Sequence, residues 1–247
     1  MMMRLFAALI ALGLVASGAV HADYAKGRSA FMQRDYATAG AEFEAAAKVG
    51  NIQAMAALGS LYAEGLGVAR DDQRAFEWYL RAAEGGHATA QGVVARLYST
   101  GQGTPKNDAN ALLWARRGAE KGDAESQYVM GLRHAGGLGV KRDSGEALLW
   151  FGAAAEQGLV RAQYSVGFLL AQGAAAAKNP VHAERMRSEA YKWLLIAERS
   201  GDANATKGLN AVRKLMSPEQ IAEAEKSAAA FQSIKPYASQ EAPQAKP

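Results

Sequence analysis

Three histidines stand beyond the first two dozen residues, His87, His134 and His182, and imidazole is the side chain best suited to proton transfer or metal binding near neutral pH. They lie 47 and 48 residues apart, and none has a metal-ligand companion at i+3 or i+4. The chain has no cysteine, which removes disulfides, thiolate zinc sites, cysteine nucleophiles and lipid attachment at an amino-terminal cysteine. Paired carboxylates such as Asp71–Asp72 suit acid–base work, but Asp71 recurs as Asn107 and Asp143 at one interval, the pattern of a helix cap. Gly-x-Gly segments at 65–67, 101–103 and 137–139 have the composition of a phosphate loop, yet each follows a helical stretch and none precedes Gly-Lys-Ser/Thr. No serine, histidine and aspartate are spaced as a nucleophilic triad. The residues call for no catalytic set, no metal and no cofactor, and binding is the expectation they leave.

The elements that position these residues come from a repeat of 36. Gly67, Gly103 and Gly139 keep that interval, as do Trp78, Trp114 and Trp150, and Gly86, Gly122 and Gly158. Ala75, Ala111 and Ala147 keep step, with Ala54, Ala90, Ser126 and Ala162, and with Leu58, Val94, Met130 and Val166. Many columns at one period mark a stack of supersecondary units. Each unit reads as two helices. Helix A runs over Ile52–Glu64, with Ala54, Leu58, Leu61 and Tyr62 on one face; Gly65-Leu66-Gly67 ends it. Asp71 caps helix B, which buries Ala75, Trp78 and Ala82 before Gly86 stops it. Gly59, Ala95, Gly131 and Gly167 fall inside helix A, where glycine costs about 1 kcal/mol relative to alanine. They predict a close approach of two helices, with the tryptophan column as the facing knob.

The fourth unit carries seven extra residues between Gly173 and Trp193, while Gly173 to Asn179 keeps the six of Gly65 to Asp71. The extra length therefore falls on helix B, behind the Asn179 cap and Pro180 at its first position, with the loop unchanged. At the front, Arg4, an apolar run from Leu5 to Val20 and the small-x-small site Val20-His21-Ala22 read as a signal peptide cleaved after Ala22. The domain reading is a signal peptide at 1–22, a capping pair at 23–50, four repeats at 51–86, 87–122, 123–158 and 159–201, capping helices at 202–233 and a disordered tail at 234–247. The last helix opens on a Ser217-Pro218-Glu219-Gln220 capping box. After cleavage, 27 lysines and arginines face 24 acidic residues with no basic run beyond pairs, which argues against nucleic acid. The expected protein is soluble, periplasmic or secreted, monomeric and without a membrane span.

The pattern Ala54-x3-Leu58-Gly59-x2-Tyr62-x2-Gly65-x-Gly67-Val68-x2-Asp71-x3-Ala75-x2-Trp78-x3-Ala82-Ala83-x2-Gly86 resembles the Sel1-like repeat family, a 36-residue branch of the tetratricopeptide-like solenoids. The likeness covers about 51–201, with a looser tetratricopeptide-like pair at 24–50. It implies an all-α fold, a right-handed superhelix of antiparallel helix pairs whose concave groove is lined mainly by A helices. It also implies an envelope adaptor that holds a protein or peptide in assembly or signalling. A cysteine-rich branch of the family is associated with β-lactam binding, and this chain lacks those cysteines.

Two columns on helix A vary while the packing columns hold: Gln53, Thr89, Glu125 and Arg161, then Ser60, Arg96, Leu132 and Phe168. A constant scaffold with a variable face is how repeat arrays present a binding surface. Tyr128 and Tyr164 replace Ala56 and Gly92 in the later units, and serve either partner binding or packing between repeats. Arg133 stands in a column that otherwise holds Leu61, Leu97 and Leu169, and His134 in the column of Tyr62 and Tyr98. They form either a polar anchor, or an imidazole in place of a phenol beside an arginine whose charge reaches water along its stem. The candidate partner-binding residues are thus Gln53, Arg96, Glu125, Tyr128, Arg133, His134, Arg161, Tyr164 and Phe168. The alternatives to a protein or peptide partner are a glycan or peptidoglycan ligand, or a hydrolase directed at β-lactams or the cell wall.

Overall fold

A computed structural model describes residues 24–233; the export segment at 1–22 and the tail at 234–247 lie outside the described residues. The fold is an all-α helical solenoid, with no strand among the described residues. Helices α1 (24–32) and α2 (Tyr36–Lys48) form a first hairpin. A/B pairs follow: α3 (Ile52–Glu64) with α4 (Asp72–Glu84), α5 (Ala88–Thr100) with α6 (Asp108–Glu120), α7 (Ala124–Gly136) with α8 (Ser144–Glu156), and α9 (Val160–Ala176) with α10 (Pro180–Arg199). Helices α11 (Ala205–Arg213) and α12 (Pro218–Ala229) close the described chain. These residues divide into two compact units, 24–118 and 119–233, with the division inside α6.

In the first unit the hairpin is set by Arg34, which takes a positive φ of 63°, and by Asp35, whose side chain caps α2 at the Thr38 N–H. Phe31, Ala39, Phe43, Ala54, Leu58 and Leu61 form one buried cluster, so the first hairpin and α3 share a core. Asp71 caps α4 through the Arg74 N–H, and Asn107 Oδ1 accepts the Asn110 N–H at the head of α6. The two glycines of each Gly-x-Gly serve different ends. Gly65 and Gly101 are left-handed terminators of α3 and α5. Gly67 and Gly103 press against the previous B helix: a Cβ on Gly67 would lie 2.4 Å from the Tyr36 carbonyl carbon, and one on Gly103 2.0 Å from the Asp72 carbonyl oxygen.

In the second unit α7 packs on α8, α8 on α9, α9 on α10, and α10 on both α11 and α12. The predicted helix A glycines do mark close approach, but tryptophan is not the knob. A Cβ on Gly131 would meet the Phe151 ring at 2.4 Å, and one on Gly167 would meet Leu194 at 2.7 Å. In the first unit a Cβ on Gly59 would meet Tyr79 at 2.8 Å. The knob is the residue after each tryptophan, one helical step round. Its size follows the gap: where helix A carries Ala95 in place of glycine, the residue in register is Ala115, and both are buried.

The fourth pair departs from expectation in its loop. Helix α10 is seven residues longer than its counterparts, as expected, and Asn179 Oδ1 caps it. Helix α9, however, runs through Gly173 to Ala176 and shortens the loop to 177–179. Alanine is the strongest helix former, and the run Ala174–Ala177 carries the helix past a glycine that terminates it elsewhere. The added turns pack on each other, since a Cβ on Gly173 would lie 2.2 Å from Met186 Cε. At the far end Ser217 and Gln220 complete their capping box with Pro218 at the first position. Phe231 stands edge-on to Trp193 at 5.3 Å.

Candidate functional site

On each A helix the variable positions form an i, i+3, i+7 stripe, the spacing that places side chains on one face. In the first unit the stripes are small or polar: Gln53, Ala56 and Ser60 on α3, then Thr89, Gly92 and Arg96 on α5. Gln53 is half-buried. Arg96 is exposed and its Nη1 donates to Gln102 Oε1 at 3.4 Å. In the second unit the same positions are Glu125, Tyr128 and Leu132 on α7, and Arg161, Tyr164 and Phe168 on α9.

These side chains are organised. Arg161 forms an ion pair with Glu125 on the neighbouring helix, and its guanidinium stands 4.6 Å from the centre of the Tyr128 ring. Partial burial pulls the Arg161 pKa below its ordinary value. About half of each charged side chain remains exposed, 49% for Arg161 and 51% for Glu125, so the pair screens readily and contributes order more than stability. Tyr128 also packs against Phe151 at 5.3 Å. Tyr128 therefore has the packing role, one part of its ring sealing the core while another carries the arginine. Tyr164 and Phe168 stack at 5.9 Å with 23° between their planes. Leu132 and Phe168 are 43% and 45% exposed, whereas the packing residues Met130 and Val166 beside them are buried.

Arg133 and His134 are not part of this exposed face. Arg133 is 9% exposed and counts among the buried residues. His134 is half-buried, with its Nδ1 enclosed and without a protein partner. His87 caps α5, its Nδ1 accepting the Ala90 N–H at 3.2 Å, and His182 is exposed in the first turn of α10, where its backbone N–H donates to the Asn179 cap. Among the described residues no group of three or more His, Cys, Asp or Glu is placed to hold a metal ion. Asp71 accepts from the Arg74 N–H, and hydrogen bonds from Arg70 and then Gln102 hold the Asp72 carboxyl below its ordinary pKa, the reverse of what a general acid requires. No helix among the described residues is long and apolar enough to cross a membrane.

A buried glutamine column went unread in the sequence. Gln91, Gln127 and Gln163 each donate Nε2 to a carbonyl eight residues back, those of Ala83, Ala119 and Ala155. These carbonyls lie in the last turn of the preceding B helix, where each also accepts a backbone N–H, from Gly86, Gly122 and Gly158, so the glutamine fills the second acceptor site of each oxygen. Gln157 adds a second layer in the second unit, donating to Gln127 Oε1 at 2.7 Å and to the Gly122 carbonyl at 2.8 Å. The 36-residue recurrence of glutamine was the available signal.

The sequence matches the family model described as Sel1 repeat over residues 52–87, 88–123, 124–159 and 160–202. Among solved structures it is similar to a Sel1 repeat protein from Oxalobacter formigenes, at 29% identity and a TM-score of 0.67, over 85% of this chain and 86% of that one. It is also similar to a protective antigen present in uropathogenic Escherichia coli strains and displaying an SLR fold, at 28% identity and a TM-score of 0.67 over 84% of this chain. This chain spans 45% of that antigen's length. A comparison with curated proteins finds no match.

Proposed function

Because this chain belongs to the Sel1 repeat family, whose members typically act as protein–protein interaction scaffolds, we propose that it is a non-enzymatic adaptor that holds a protein or peptide partner in the cell envelope. The observation that carries the proposal is the α7–α9 face: two successive A helices expose Leu132 and Phe168 beside the Arg161–Tyr128–Glu125 arrangement, while the neighbouring columns are buried. Aromatic residues and arginine dominate binding energy at protein surfaces. The signal-like start at Arg4 to Ala22 supports a periplasmic or secreted setting, and osmotic-shock fractionation of cells making the full chain tests it. A tagged full-length protein is expected to capture a discrete envelope protein. The Leu132→Ser/Phe168→Ala variant is expected to lose at least ten-fold of that capture at unchanged helicity. Capture that is indifferent to both changes refutes the assignment of the face. Co-sedimentation with purified cell wall instead of protein capture moves the reading to a glycan ligand.

A further inference from the structure

A second candidate lies within the first unit and rests on none of the residues of α7 or α9. A cleft of about 220 Å³ is lined by Glu44 of α2, Leu58 and Tyr62 of α3, and Arg74, Glu77, Trp78 and Arg81 of α4. Two of its aromatic walls carry guanidinium groups: Arg74 stands 5.6 Å from the Tyr62 ring centre and Arg81 4.5 Å from that of Trp78. Their donors are used differently. Arg74 donates to the Tyr62 hydroxyl and pairs with Asp71. Arg81 contacts the indole, and among the described residues the structure pairs it with no carboxylate. A guanidinium lying on an aromatic face keeps its in-plane N–H fork free for a carboxylate.

We propose that this cleft takes one apolar side chain of a peptide together with the carboxylate next to it. Arg81 binds the carboxylate as a fork, and Leu58, Tyr62 and Trp78 enclose the side chain. The volume is below the range of sites that enclose a whole small molecule and suits a single residue. Of the two carboxylates that also line the cleft, Glu44 pairs with Lys48 and Glu77 accepts from the Gln73 amide, and both disfavour a second negative charge beside the one held by Arg81. The carboxylate comes either from a chain terminus or from an Asp or Glu side chain, chemically the same group at this fork.

The test is titration of the ¹⁵N-labelled full chain, following the indole N–H signals of Trp78 and Trp114. Four probes are used: acetyl-Gly-Gly-Leu with a free carboxylate, its amide, acetyl-Gly-Leu-Glu-Gly amide, and its Gln analogue. Saturable shifts of the Trp78 signal by one or both acids are expected, with the neutral counterpart at least ten-fold weaker. Arg81→Gln is expected to abolish the shift and Arg81→Lys to weaken it. The Trp114 signal is the internal control: Arg117 stacks on that indole at 4.8 Å, but Trp114 is buried where Trp78 is half-buried, and without a cleft to take the side chain its signal is expected to stay in place. Equal binding of acid and neutral peptide, an unchanged dissociation constant in Arg81→Gln, or no shift with any of the four overturns the proposal. The stronger of the two acids identifies the source of the carboxylate.

Discussion

Gly131→Ala should reverse the sign of its effect on stability when Phe151 is also removed. In the native chain the added methyl would sit 2.4, 2.6 and 2.8 Å from three atoms of the Phe151 ring. That ring is almost fully buried and is fixed at its base, so it cannot swing aside as a long side chain would. Overpacking of this kind costs about 1–3 kcal/mol. Replacing a mid-helix glycine by alanine returns about 1 kcal/mol, so a net loss of up to about 2 kcal/mol is expected. With Phe151→Ala already in place, itself costing about 3–5 kcal/mol, the methyl enters open space and only the helical gain remains. Gly131→Ala then stabilises by up to about 1 kcal/mol. The double variant reproduces the Ala95–Ala115 combination of the second repeat. Urea unfolding of the four proteins, followed by far-ultraviolet circular dichroism, measures the coupling. Stabilisation by Gly131→Ala in the native background, or purely additive effects, would show that the glycine and the knob are not matched.

Three further outcomes follow from the same packing. Gly103→Ala places a methyl against the Asp72 carbonyl oxygen at a φ of +70°, and is expected to cost at least about 2 kcal/mol, read as a lower thermal midpoint. Gln127→Met removes two hydrogen bonds, the one to the Ala119 carbonyl and the one its Oε1 accepts from the Gln157 amide, for about 1–3 kcal/mol. Gln163→Met should cost less, because the Gln163 carbonyl oxygen already lacks a partner; equal losses in urea midpoint would contradict this. Backbone N–H groups of Glu146 and Gly145, and then the nearby His134, lower the Asp143 pKa. Its contribution is therefore complete above the unfolded carboxylate value of about 3.9 and is lost as pH falls through the lower folded value. Asp143→Asn should flatten that acid-side slope in unfolding curves collected between pH 7 and pH 3.

Most of the fold was legible because it rests on columns that repeat. Leu58, Val94, Met130 and Val166 are buried as their spacing demands, and Asp71, Asn107, Asp143 and Asn179 all cap. The errors came where neighbouring positions compete. Trp78 and Tyr79 are both large, and only the helix phase decides which of them faces Gly59. Gly173 looks like a terminator until the alanines after it are weighed against it. Within the candidate face, Glu125, Tyr128, Arg161, Tyr164 and Phe168 were readable as variable columns against fixed ones. Their mutual arrangement was not, because the Arg161–Glu125 ion pair and the ring stacks join residues 36 or more apart, or depend on side-chain rotamers. Arg133 misled for a related reason: a charged residue in a leucine column is ordinarily placed in water, and here it is buried.

A photoreactive phenylalanine analogue tests the adaptor reading most directly, placed singly at Phe168, at Leu132 and at Leu149 of full-length protein in intact cells. Leu149 on α8 is the control, being 69% exposed and off the α7–α9 stripe. Irradiation should yield one and the same covalent partner from positions 168 and 132 and none from 149. A partner captured equally at 149, or no capture from either stripe position, would contradict the account.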